Sequence, residues 1–226
     1  MRRVLRLLSW LALVTMAMVL AALATAQPAT ERPFRSTVRP LSAVEKTQLA
    51  AGYWRPGCPV ALSELRVLTV AQWGFDGKTS NGQLIVNRDV ANPLRAVFKR
   101  LYEVGFPIRY MQLDICGPSR GLPSHGDFSG SFECRKAVPS PCGTGSGNWS
   151  NHAYGHAIDL NPRENPYVGC GRVRDPTRAR YINRTRLYEG MVTPAVVRAF
   201  ASIGWGWGGS WAGQTKDYMH FSTTGG

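Results

Sequence analysis

Two strings near the C-terminus carry the residue types that do chemistry. One runs Ser150-Asn151-His152-Ala153-Tyr154-Gly155-His156-Ala157-Ile158-Asp159; the other is Asp217-Tyr218-Met219-His220-Phe221. His152, Asp159, Asp217 and His220 make up the inventory of a catalytic zinc site. Such a site needs three protein ligands, a fourth position open to water, and a separate carboxylate to take the water's proton. His152, Asp159 and His220 suit the ligand roles, with one Zn2+ per chain, and Asp217 suits the base.

Spacing constrains the elements that must position these groups. His152 and Asp159 are seven residues apart, so on one continuous strand they would face opposite sides. They reach one metal only if the chain turns between them, and Gly155 is the residue that permits a turn. Asp159 then belongs to a strand over 157–160, with His156 on its other face in a structural role. Asp217 and His220 are three apart and do not converge on a straight strand. His220 is therefore expected on a strand and Asp217 in the loop before it.

Upstream, Leu65 to Val70 and Gly82 to Val86 read as strands around the turn-rich stretch 76–81. Leu94, Val97, Phe98, Leu101 and Val104 have helical spacing, which predicts a helix over 93–104 with Pro93 in its first turn. Met111 to Asp114 reads as a further strand. Residues 116–149 are rich in Gly, Ser and Pro and read as a long loop, of the kind that is usually functional. His125 lies in it without an evident role. An arginine-rich irregular stretch over 172–186 reads most simply as a solvated face. A short helix over 194–203 and a final strand with His220 follow. Trp205, Trp207 and Trp211 read as core, with a ligand platform as the alternative. Strands and helices are partly segregated, an α+β pattern without repeats.

Composition bounds the setting. Arg2, Arg3 and Arg6 precede an apolar run from Leu7 to Leu23, and Ala24-Thr25-Ala26 offers a small-x-small cleavage site. Residues 1–26 are read as a secretory signal peptide; an uncleaved anchor is the rival reading. Cleavage takes 26 of 226 residues and three arginines, so the mature chain has 200 residues and its formal charge falls from +13 to +10. That is enough for one cored domain over 49–226. Residues 27–48 mix Pro, Thr, Arg and Ser without periodicity and read as a linker or loose N-terminal arm. A basic exported protein suits anionic cell-wall polymers. No basic stripe interleaved with aromatics points to nucleic acid, and no segment after the leader is long and apolar enough for a membrane. Five cysteines, 58, 116, 134, 142 and 170, match no zinc-finger spacing and should mostly pair in an oxidising compartment.

The ordered motifs resemble a known family. S-x-H-x-x-G-x-A-x-D followed by D-x-x-H is similar to the zinc D-alanyl-D-alanine carboxypeptidases of the VanY type, in a wider group with L-alanyl-D-glutamate endolysins and the Hedgehog domain. Phe132-Glu133-Cys134-Arg135, Asn161-Pro162-Arg163-Glu164-Asn165-Pro166-Tyr167 and the tryptophan-glycine run 204–211 resemble further family elements, as do Trp73 to Gly77 and Phe106 to Ile108. The resemblance spans about 52–222. Where many relatives of the wider group have a histidine two before the last ligand, this chain has Tyr218.

The resemblance implies a single compact domain whose small antiparallel sheet carries the zinc ligands, with flanking helices. It implies His152, Asp159 and His220 on zinc, Asp217 as base and then acid, Arg135 holding the developing oxyanion, and a Cys58–Cys134 disulfide. The expected activity is zinc-dependent hydrolysis of peptidoglycan stem peptides by a monomer outside the cytoplasm, most like a D-alanyl-D-alanine carboxypeptidase. An L,D-endopeptidase, a zinc-containing wall-binding module without catalysis, and a basic adhesion protein are the alternatives.

Overall fold

In the computed structural model, which describes residues 33–113, 127–137 and 147–225, ordered structure begins where the loose arm is expected. The unit runs from Phe34, and the signal-peptide reading lies outside the described residues. Ser36–Pro40 forms β1, paired antiparallel with β2 (Leu65–Trp73) so that Val38 faces Leu68. Ala43–Gly52 is α1, opened by a capping box in which Ser42 and Glu45 exchange hydrogen bonds. Arg39 binds the Glu45 carboxylate and ties the strand to the helix. The arm reading over 27–48 is therefore corrected from 36 onward. One inward valine in β1 is too little periodicity to read, because pairing with β2 supplies the order.

β2 pairs along its whole length with β3 (Thr79–Asn87). α2 (Arg88–Glu103) follows directly, capped by Asn87, and starts earlier than its apolar spacing suggests. Pro93 therefore sits inside the helix, where it forgoes one backbone donor. Val90, Leu94, Val97, Phe98 and Leu101 form its buried stripe. Met111 does not extend into a strand; its carbonyl accepts the Gln83 N–H and docks an irregular segment on β3.

The second sheet is much smaller. β4 (Ala157–Asp159) and a later two-residue strand flank the last strand of the chain, while β5 (Tyr167–Val168) belongs to a separate ribbon. α3 (Pro194–Ala201), capped by Thr193, leads into β6 (Gly206–Trp207). β7 (Lys216–Asp217) pairs with β5, and β8 (His220–Ser222) lies between β4 and β6. Ile158, Leu160 and Phe221 point into the same core as Leu68, Leu94 and Phe98, with Phe200 stacked on Phe221 at 4.0 Å. Both sheets thus share one core, and the fold is a single α+β domain. Among the described residues no helix is long and apolar enough to cross a membrane.

Trp205 is buried in this core, while Trp207 and Trp211 are partly exposed beside β8. Within 172–186, Arg184 departs from a solvated face. It donates to Val192 O and Asn165 Oδ1, and burial pushes its pKa down to about 10.

Candidate metal centre

Each polar group of the site is placed by its backbone. Ser150 caps a 3-10 turn over Asn151–Tyr154 that holds His152, and Gly155 ends it in the left-handed region at φ 70°. A Cβ there would lie 2.6 Å from Asn87 N, so the turn packs directly on the end of β3. Asn87 donates from its backbone to Gly155 O and from its side chain to Tyr154 O. The turn inferred from parity is present and brings His152 over β4. Asp159 and His220 are register partners across β4 and β8.

The donor atoms converge. His152 Nε2 lies 3.2 Å from His220 Nδ1 and 3.3 Å from Asp159 Oδ2; His220 Nδ1 lies 3.2 Å from Asp159 Oδ1. The 3.2 Å between the two nitrogens matches the edge of a tetrahedron around an ion with bonds of ~2.0–2.1 Å, about 3.3 Å; Asp159 turns a different oxygen to each histidine, and one donor atom from each residue lies within 4.8 Å of the others. His152 donates from Nδ1 to Ser131 O at 2.6 Å, which leaves the Nε2 lone pair facing the centre. Both histidines are buried. Two nitrogens and a carboxylate oxygen fit zinc by type and by spacing, and no other such group occurs among the described residues.

The electrostatics follow from burial and proximity. Burial disfavours charge on Asp159, yet His152 and His220 hold its carboxyl far below the usual range. Burial likewise opposes protonation of His152, but the Asp159 charge and hydrogen bond prevail and raise its pKa, with Arg135 acting the other way.

Asp217 stands beside this group and is not one of the converging donors. It lies on β7 and not in a loop, a correction to the parity reading: the β5 ribbon pairs Tyr167 with it. Its Oδ1 is buried without a hydrogen-bond partner. Burial first, then the Asp159 charge, push the Asp217 carboxyl up to about 7, against the pull of His220, Arg135 and the Met219 N–H. A carboxyl poised near neutrality is suited to exchange protons with a reacting group.

Arg135 is within electrostatic reach of both His152 and Asp217. Its Nε donates to Glu133 Oε2 at 2.8 Å, and its side chain is about one-third exposed, at 32%. Cys58 and Cys134 form a disulfide with Cα atoms 5.9 Å apart, fastening the segment that ends in Arg135. Cys170 is disulfide-bonded as well; Cys116 and Cys142 lie outside the described residues, as does His125. His156 turns away to meet Asp89 at 3.0 Å, the structural role expected of it. A cavity of about 210 Å³ leads from His152 and Asp159 along β3 and is lined by Tyr53, Gln83, Phe128 and Glu133.

Sequence reasoning missed the residues that orient the donors through backbone groups: Gly130, which pairs with Asp159, and Ser131, whose carbonyl meets His152. A carbonyl leaves no mark on residue type.

Residues 144–223 match the family model described as D-alanyl-D-alanine carboxypeptidase; the match includes His152, Asp159, Asp217 and His220 and leaves out Arg135. No curated protein and no solved structure gives a significant match. The donor geometry and the ordered motifs agree with that match, which covers the segment carrying His152, Asp159, Asp217 and His220.

Proposed function

We propose that the protein hydrolyses peptide bonds in peptidoglycan stem peptides, with zinc held by His152, Asp159 and His220, and that it removes a terminal D-alanine. The observation that carries this reading is a convergent donor triad with a further carboxyl, Asp217, set beside it, whose Oδ1 is buried without a hydrogen-bond partner. A non-catalytic zinc module has no use for that carboxyl.

When bound, the ion acidifies water and polarises a carbonyl oxygen. Asp217 takes the proton of the attacking water at Oδ1 and later returns it to the leaving amine. The Arg135 guanidinium, kept in place by Glu133, faces the negative charge that develops on the carbonyl oxygen. Ser131 O keeps the His152 ring in one tautomer throughout. The cavity along β3 offers room for a peptide beside the donors. Action outside the cytoplasm fits the disulfides and the apolar leader.

Incubation of purified muropeptides with the zinc-loaded protein, read by mass spectrometry, tests the reading. Loss of a terminal D-alanine is the expected product. Cleavage inside the stem makes it an endopeptidase, and no cleavage by a zinc-loaded protein leaves a binding module. Asp217→Asn should keep its zinc and lose at least roughly a hundredfold in turnover.

A further inference from the structure

We propose that the Arg109–Asp127 pair, with its carboxylate buried, is a positioning device for the metal centre, acting through the strap from Asp127 to Glu133. This rests on the reading that His152, Asp159 and His220 hold zinc.

The strap lies between β3 and β4 and touches two of the three donors. Gly130 and Asp159 exchange backbone hydrogen bonds at 3.0 and 2.9 Å. Ser131 O meets His152 Nδ1, Ser131 Oγ donates to Ala157 O, and Glu133 N donates to His152 O. One short segment therefore sets both the ring orientation of His152 and the line of β4.

The strap is fastened at both ends. At Cys134 it is held by the disulfide and by Tyr53 O. At Asp127 it is held by charge. Asp127 Oδ2 accepts from Arg109 Nε at 2.7 Å, and Oδ1 accepts from Arg163 N at 2.9 Å. Asp127 is fully buried. Arg163 lies four residues beyond Asp159, so Asp127 anchors the strap to the chain that has just left β4. Asn161, at φ 42°, completes the knot: it donates from its backbone to Ser129 Oγ and accepts the Arg109 N–H on its side chain. The pair thus fixes the register of the strap against β4. A slip there would carry Ser131 O away from His152.

Arg109 has a second carboxylate, Glu164, at 2.9 Å. Glu164 is also buried, but its side-chain hydrogen bond goes to Arg109 and not to the strap. Burial, together with the Asp127 charge, pushes Glu164 up while Arg109 pulls it down, and the net shift is upward. The two carboxylates share one guanidinium and differ in whether they touch the strap, which makes each a control for the other.

The test is metal binding to the full mature chain. Zinc affinity is measured by competition with a chelating dye, and the site is reported by the visible absorption of bound Co2+. Asp127→Asn should bind zinc about tenfold more weakly with an altered Co2+ spectrum, the size expected when an outer partner of a metal ligand is lost. Glu164→Gln should stay within about twofold of wild type with an unchanged spectrum. Should Asp127→Asn fail to fold, Ser129→Ala removes the tie to Asn161 more gently and should shift affinity and spectrum in the same direction. Wild-type affinity and spectrum in both strap variants would overturn the inference, as would equal losses in Asp127→Asn and Glu164→Gln. A wild-type chain that binds no zinc would overturn the metal reading itself.

Discussion

The sheet of β1, β2 and β3 and the sheet of β4, β8 and β6 back onto one core yet hold their shape by different means. β2 and β3 each run nine residues in unbroken register, closed by a helix of sixteen residues. The strands of the site sheet are three and two residues long. Such strands are too short to stand alone. They are held by the 3-10 turn at His152, the strap at 127–133 and the Asn161 and Asn165 side chains. Regular secondary structure supplies the frame, and long-range ties from irregular backbone supply the site. The difference implies that the frame should fold without metal and that the site should depend on the frame.

The strongest way to break that comparison is to hollow the shared core. Phe98 is buried on α2 against both sheets. Phe98→Ala should cost about 3–5 kcal/mol, and zinc binding should disappear in the same urea transition. Asp159→Ala, by contrast, should lose zinc while the far-ultraviolet circular dichroism of the frame remains. Zinc binding that outlasts the unfolding of the frame in the wild type would end the idea that the site depends on the frame.

A smaller effect comes from the joint between the two regions. Gly155 is left-handed and packs on Asn87 N. Gly155→Ala should cost about 2–3 kcal/mol, since both the conformation and the contact oppose a side chain. It should also weaken zinc binding, because His152 hangs from that turn. Lost stability with unchanged zinc affinity would show that the joint does not set the histidine.

The smallest effect lies wholly in the frame. The Arg39 hydrogen bond lowers the Glu45 carboxyl to about 2, against burial, with Ser42 helping. A carboxyl depressed in the folded state stabilises above its unfolded value near 4.5, and that contribution is lost as pH falls toward 2. Arg39 is nearly half exposed, which limits the effect to about 1 kcal/mol or less. Wild type should exceed Glu45→Gln in stability at pH 6, and the gap should narrow below pH 4.5. Zinc affinity should not differ between the two. A gap that widens on acidification would reverse the sign of this pair.

The same contrast explains what could be read from the residues. β2, β3 and the body of α2 follow from alternation and helical spacing, because their partners are neighbours in sequence. β1 and α1 were legible only through Ser42-Ala43-Val44-Glu45, a capping-box string that the composition of the arm obscured. The histidines and carboxylates of the site stand out because chemistry restricts residue type, and parity located the turn at Gly155. The strap did not stand out. Its work is done by carbonyls and N–H groups of Gly130, Ser131 and Glu133, and by Asp127, whose partners lie eighteen and thirty-six residues away. Pro93 misled because a proline suits a helix start, while Asn87 and Asp89 had already started the helix.

The Cys58–Cys134 bond closes a loop of sequence separation 76. All of β2, β3 and α2 lie inside that covalent ring, and His152, Asp159, Asp217 and His220 lie outside it. A single nick between the two cysteines would therefore leave no free fragment: the strand-bearing piece and the piece with Arg135 would stay joined through sulfur. The ring turns a cut that would otherwise divide the molecule into one that only opens it.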